Sequence, residues 1–212
     1  MAILLAGVER ESLVLRGQRL SWLTLGYNSV EGFIAIAAGL LAGSIALVGF
    51  GFDSAIELSA SAAALWRLSA DVNPVQRERV ELVTLKIVGV LFLALALYVL
   101  LDAANALLRQ EAPQESRVGI ALAAASLVVM PLLARAKRKV AITLGSRALR
   151  AESQQTQLCT YLSAILLGGL TLNAFFGWWW ADPVAALIMV PIIGKEGIEA
   201  LRGQDNCCDE CA

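Results

Sequence analysis

Two acidic side chains one helical turn apart are the residues in this sequence whose types and spacing best suit chemistry. Asp53 and Glu57 lie four positions apart, so on a helix both carboxyl groups project from one face, with about 5–6 Å between their Cβ atoms. They fall in an apolar stretch, where an ionisable side chain at membrane depth costs on the order of a few kcal/mol. A bound divalent cation would offset their repulsion; the alternative is a pair satisfied by hydrogen bonds from neighbouring helices.

A second polar face begins a later apolar stretch. Glu152, Gln155 and Cys159 share a helix face at positions i, i+3 and i+7, and Gln155 with Cys159 repeats the spacing of the acidic pair. The two faces together offer carboxylate and amide oxygens and one thiol, a ligand set for a borderline or soft divalent metal, with Glu152 as an accessory group. The alternatives to a metal site are that this glutamine-rich helix start is exposed to solvent and that Cys159 is an inert residue packed inside the protein.

Other acids lie outside these two faces. Glu31 falls in the first apolar stretch and is expected to act as an accessory group, because that stretch must pack near the one that follows it. Asp102 and Asp182 fall close to the expected membrane surfaces, which favours a helix-end or interfacial role. Histidine is absent, so carboxyl groups would have to carry any proton exchange.

Three cysteines crowd into the final residues of the sequence. Cys207, Cys208 and Cys211 stand among three carboxyl groups in the segment 203–212. In a reducing cytoplasm this composition suits the capture of a soft metal ion. A flexible end and a lipidated end are the alternatives.

The chain as a whole is too apolar for a soluble protein. Hydrophobic residues make up 58% of it and charged residues 17%, and its mean hydropathy is +0.69, whereas a soluble domain is roughly 45–50% apolar and ~25% charged. Six stretches approach the ~20 apolar residues that cross a bilayer: 21–41, 44–66, 82–105, 118–134, 155–176 and 178–199. The predicted fold class is an all-α membrane protein with six transmembrane helices.

The distribution of Lys and Arg predicts the orientation of these spans. Of 17 such residues, only Arg109 and Arg117 fall on one side of a six-span protein; the others fall on the opposite side, six of them in an expected loop after residue 134. Because positive residues are retained in the cytoplasm, both termini are predicted to be cytoplasmic. The predicted parts are a cytoplasmic segment 1–20, a transmembrane domain 21–202 and a cytoplasmic Cys-rich tail 203–212, in a multi-pass protein of the cell membrane.

The sequence also argues against other classes of protein. It has no basic stretch interleaved with aromatic residues, so nucleic acid is not an expected partner. An enzyme is disfavoured, because there is no nucleophile–base pair, HExxH motif or phosphate-binding loop. The expected partners are the lipid bilayer, metal cations and protons, and no resident cofactor is expected.

Three segments resemble the cation diffusion facilitator superfamily. Residues 43–67 resemble its second transmembrane helix, residues 147–152 the lead-in to its fifth helix, and residues 181–187 its sixth helix. The likeness covers residues 20–202 and is strongest to the short branch that includes the vesicular zinc-binding six-span proteins.

The resemblance implies roles for individual residues. The family's helix-2 metal pair falls on Asp53 and Glu57, and its helix-5 H-x-x-x-D pair falls on Gln155 and Cys159, where this sequence departs from the family at both positions. The family's usual C-terminal cytoplasmic domain is missing and the Cys-rich tail stands in its place, so regulation and dimerisation through that domain are not expected.

The function that this resemblance implies is secondary transport. The protein is expected to export a divalent transition-metal cation from the cytoplasm in exchange for protons, as a homodimer. Zinc is the first expected ion, and cadmium, cobalt and ferrous iron follow. The alternative is a membrane protein that binds or senses metal without transporting it and regulates a partner.

Overall fold

Helices make up nearly all of this protein. The computed structural model describes residues 2–69, 74–110 and 114–202, and over these ranges the chain contains no strand. The helices are α1 (Ala2–Ala42), α2 (Ile45–Ser69), α3 (Pro74–Arg109), α4 (Arg117–Leu144), α5 (Arg147–Phe176) and α6 (Ala181–Arg202). The all-α prediction is confirmed. The tail cysteines Cys207, Cys208 and Cys211 lie outside the described residues, and their role stays a prediction.

Among the described helices, five are long and apolar enough to cross a membrane. The qualifying segments are Glu11–Ala42, Ile45–Trp66, Gly89–Arg109, Arg117–Leu144 and Glu152–Phe176. Helix α6 has 22 residues, about 33 Å of helix at ~1.5 Å per residue, but charged residues in its last two turns make it less apolar. The chain is a multi-pass membrane protein, and the side on which its termini lie stays a prediction.

Helix α4 is longer than the sequence predicts. The apolar run 118–134 ends where positive charges begin, yet the helix continues to Leu144, and Gly145, at φ 63°, terminates it. Hydropathy marks the limit of the bilayer, whereas Ala, Lys and Arg are strong helix formers and extend the helix beyond that limit. The prediction of a loop directly after residue 134 is therefore wrong, and Lys137 is a helical residue.

The helices pack most extensively as three pairs, α1 with α2, α4 with α5 and α3 with α6, while α2 also contacts α3, α5 and α6. Glycines permit this packing: a Cβ on Gly39 would lie 2.8 Å from the Val48 amide nitrogen, and one on Gly169 would lie 2.6 Å from the Ala185 Cβ. In lipid, small residues let helix backbones approach closely where no hydrophobic force drives them together. One face of α2 is consequently enclosed by its neighbours and carries the buried Asp53, Ser54, Glu57 and Ser61, whereas Ser59 is exposed.

Asp182 ties α6 to the beginning of α2. Its Oδ1 accepts a hydrogen bond from Ser44 Oγ at 2.5 Å, and its Oδ2 accepts from the Ile45 and Ala46 amides at 3.0 and 3.4 Å. A carboxyl group at a helix N-terminus satisfies free amides and complements the helix dipole. The helix-end role expected for this acid agrees with these contacts, but the side chain is fully buried and not near water.

Candidate metal-ion site

The acidic pair lies on the enclosed part of α2. The side chains of Asp53 and Glu57 are only 3% and 2% exposed, and both belong to the part of α2 that meets α1 and α5. They are carried on one helix face, as their spacing requires. Two acids on one turn are thus held inside the bundle, where each needs a hydrogen-bond donor or a cation.

Helix α5 supplies partners to both acids. Thr156 Oγ1 donates a hydrogen bond to Glu57 Oε1 at 2.5 Å, and the buried Cys159 thiol faces the Asp53 carboxyl group. The second oxygen of Glu57, Oε2, is buried and has no hydrogen-bond partner among the described residues. One carboxyl oxygen and one sulfur atom therefore remain available to a cation between α2 and α5.

Gln155 is placed less favourably than Cys159. Its side chain is half-buried, although its Oε1 atom is enclosed and has no hydrogen-bond partner within the described ranges. The structure thus brings Cys159 against the acidic pair, while Gln155 contributes an unpaired amide oxygen on the same helix.

Glu31 is engaged on both of its oxygens. Its Oε2 accepts from Ser54 Oγ at 3.0 Å, and its Oε1 accepts from Ser126 Oγ. The Tyr27 hydroxyl lies 2.9 Å from Ser126 Oγ, so it belongs to the same group of hydroxyls around Glu31. The expected accessory acid is buried beside the pair and is bonded to α2 and α4.

A buried lysine lies next to this cluster. Lys137 Nζ is 2.8 Å from Glu152 Oε1, and the two side chains are 0% and 1% exposed. Ser21 Oγ donates to the other Glu152 oxygen at 2.7 Å. Both oxygens of Glu152 are therefore occupied by protein groups from α1 and α4.

Lys137 also reaches the acidic pair through one hydroxyl group. Its Nζ donates to Thr156 Oγ1 at 2.9 Å, and Thr156 in turn contacts Glu57. Because an ammonium group can only donate, it occupies a lone pair of Thr156 and leaves the hydroxyl hydrogen for an acceptor. The chain Lys137–Thr156–Glu57 thus joins α4, α5 and α2 and orients one oxygen of Glu57.

The resulting site has donors on several helices but no assembled metal cage. Within the described ranges, no group of three or more cysteine and acidic side chains is close enough to hold a metal ion. The available atoms are those of the pair Asp53 and Cys159, the free oxygen of Glu57, and the unpaired amide oxygen of Gln155. An ion would have to draw these donors together from α2 and α5.

Lys137 and Thr156 were not anticipated from the sequence, although a signal for each is present. Lys137 continues the buried face of α4 that carries Ser126, Met130 and Ala134 at helical spacing, whereas its neighbours Arg138 and Lys139 are exposed. Thr156 falls between Glu152 and Cys159 on one face of α5. The predicted apolar run stops at the first positive charge, whereas the buried face of α4 continues beyond it to Lys137.

Comparison with known proteins adds a family and a relative. Residues 21–203 match the model of the cation efflux transmembrane domain. The chain is 27% identical over 160 residues to an uncharacterized transporter of Synechocystis sp., a match that covers 73% of this chain and 52% of that protein. The chain therefore spans about half the length of the curated relative that it matches.

Proposed function

The chain belongs to the cation efflux transmembrane domain family, and from that membership we propose that it carries a divalent metal cation out of the cytoplasm in exchange for protons. The observation that carries the proposal is the buried pair Asp53 and Glu57, with Cys159 facing one acid and an unpaired oxygen on the other. A buried acceptor without a partner costs about 1–3 kcal/mol, and a bound cation would remove that cost.

Protons are proposed to move through the same carboxyl groups. The chain has no histidine, and an ion that binds carboxylate displaces any proton held there. Glu31 is proposed as the accessory acid, because it is buried beside the pair and is hydrogen-bonded to α2 through Ser54. Glu152 is proposed to act through Lys137, since its oxygens already have partners.

Zinc is the first proposed ion, and cadmium, cobalt and ferrous iron follow. The pair of carboxyl groups would bind any of these ions. The Cys159 thiol and the Gln155 amide replace the family's usual helix-5 ligands, and of these two the soft thiol is the one that favours a borderline or soft ion. We further propose a homodimer in the cell membrane with cytoplasmic termini, in which the tail cysteines capture metal before transport.

The rival function is metal sensing without transport. It uses the same residues and differs only in whether the ion crosses the membrane. Uptake of metal into proteoliposomes, measured with an internal dye beside equilibrium binding to the detergent-solubilised protein, separates the two functions. Binding without uptake would favour the sensor.

The site is tested by neutral, shape-preserving substitutions. We expect Asp53→Asn and Glu57→Gln each to lower metal uptake by about tenfold or more, because each removes a charged ligand worth at least ~1.4 kcal/mol. Asp102→Asn is the matched control, since that half-buried acid lies on α3, outside the cluster. Normal uptake by both site variants at matched protein levels would place the ion elsewhere, with Glu31 as the next residue to test.

A further inference from the structure

Asn28 is a buried amide on α1 that forms no hydrogen bond of normal geometry with the described residues. Its side chain is 1% exposed, and neither Oδ1 nor Nδ2 has a partner among the described residues. Leaving such groups unpaired costs about 1–3 kcal/mol each. The neighbouring polar groups on α1 are satisfied: Ser21 donates to Glu152, and Thr24 donates to the Leu20 carbonyl.

The surroundings of Asn28 identify what could satisfy it. The Asn28 amide lies beside the Glu57 carboxyl group and interacts with it through its donor side, although the two groups form no hydrogen bond of normal geometry. Glu57 Oε2 is likewise without a partner, while Oε1 accepts from Thr156. Two unpaired acceptor oxygens, one from α1 and one from α2, therefore occupy the same buried region. Two acceptors cannot bond to each other, and no described donor bonds to either of them.

We propose that Asn28 is a ligand of the transported ion and binds it through Oδ1, so that the ion joins α1 to α2. This inference rests on the proposed function and adds a ligand that neither the acidic pair nor the α5 residues supply. A cation bonds to both oxygens at once and, unlike a bridging water molecule, also offsets the charge of the acidic pair. Because a neutral amide oxygen is a hard donor, Asn28 strengthens binding of oxygen-preferring divalent ions relative to soft ones.

A different role for Asn28 is to donate from Nδ2 to Glu57 after a small rotation, without touching the ion. Substitutions separate these two roles. Asn28→Leu removes both polar atoms at similar volume, whereas Asn28→Asp keeps the oxygen and removes the donor. A ligand tolerates the change to Asp, and a donor to Glu57 does not. Thr24→Val is the matched control, because Thr24 is buried one turn away and its hydroxyl donates to the Leu20 carbonyl of its own helix.

The experiment titrates the purified full-length protein in detergent with Co²⁺ and with Cd²⁺. The visible absorption of Co²⁺ reports its ligands directly, which a purely structural role would leave unchanged. We expect Asn28→Leu to weaken Co²⁺ binding by about tenfold or more, since even outer partners of a metal contribute ~10–100-fold. We expect its Co²⁺ spectrum to change and its Cd²⁺ affinity to fall less. Asn28→Asp should bind Co²⁺ at least as tightly as the wild type, and Thr24→Val should match the wild type.

Three results would overturn the inference. Unchanged Co²⁺ affinity and spectrum in Asn28→Leu would show that the amide does not touch the ion. Equal loss of binding in Asn28→Asp and Asn28→Leu would show that the amide donates to Glu57. If Asn28→Leu fails to fold, loss of Co²⁺ binding by a folded Asn28→Asp alone would overturn the inference. A wild-type protein that binds neither ion would overturn the proposed function together with this inference. If the wild type binds Co²⁺ and Asn28→Leu binds it with the same affinity and spectrum, only this inference is overturned.

Discussion

The buried pair of Lys137 and Glu152 predicts a large, non-additive effect on stability. Lys137→Met would leave Glu152 enclosed with only the Ser21 hydroxyl, and Glu152→Gln would leave the ammonium group enclosed without its counter-charge. Breaking a buried pair from one side costs about 3–5 kcal/mol. The value should fall within this range because the N–O distance is 2.8 Å and both side chains are almost fully enclosed. The double variant should recover most of the loss, since replacing both partners of a buried pair is often nearly neutral.

Reversible unfolding in detergent micelles measures these changes as a double-mutant cycle. The control is the pair of Lys195 and Glu199 on α6, whose charged atoms are 3.6 Å apart and whose lysine is 71% exposed. There the coupling free energy should be below about 0.5 kcal/mol, as for other exposed pairs one helical turn apart. A coupling below about 1 kcal/mol between Lys137 and Glu152 would refute the reasoning, because it would mean that water reaches the pair.

Three further predictions follow from the site and the topology. Cys159→Ser should lower uptake of Cd²⁺ more than uptake of Co²⁺, because only the soft donor is lost; equal loss for both ions in parallel uptake assays would exclude the thiol as a ligand. A single cysteine at position 138, in a Cys-free background, should react with a membrane-impermeant maleimide only from the cytoplasmic side, since this exposed position lies among the positive residues; labelling from outside would reverse the topology. Truncation after Gly203 should raise the metal concentration for half-maximal uptake and leave maximal uptake largely intact; loss of all uptake by a correctly inserted protein would show that the tail is part of the transport path.

The sequence was sufficient for the helices and for the acidic pair because both depend on local patterns. Long apolar runs define helices at bilayer length, and the four-residue spacing of Asp53 and Glu57 places them on one face whatever surrounds them. Lys137 shows where local patterns stop being sufficient. Hydropathy treats a lysine beyond an apolar run as a loop residue, and only the arrangement of α1, α4 and α5 shows that it is enclosed against Glu152. Asn28 was missed for a related reason, because an amide becomes informative only when its missing partners are visible.

The contacts divide the four buried acids around the candidate site into two kinds; the fifth buried acid of the described residues, Asp182, lies apart from them at the start of α2. Glu31 accepts a hydrogen bond on both oxygens. Glu152 accepts one from Ser21 on Oε2, and its Oε1 is ion-paired with the ammonium group of Lys137. Within the described ranges, Glu57 Oε2 has no hydrogen-bond partner, and Asp53 faces the Cys159 thiol, which is a weak donor. Lys137 thus neutralises one acid with a cation that cannot leave, and Asp53 and Glu57 carry the two charges that would balance one divalent ion. In the proposed mechanism the Lys137 ammonium group occupies Glu152, so that Glu152 does not compete for the metal ion although it lies on the same helix as Cys159. The transported ion therefore binds at Asp53 and Glu57.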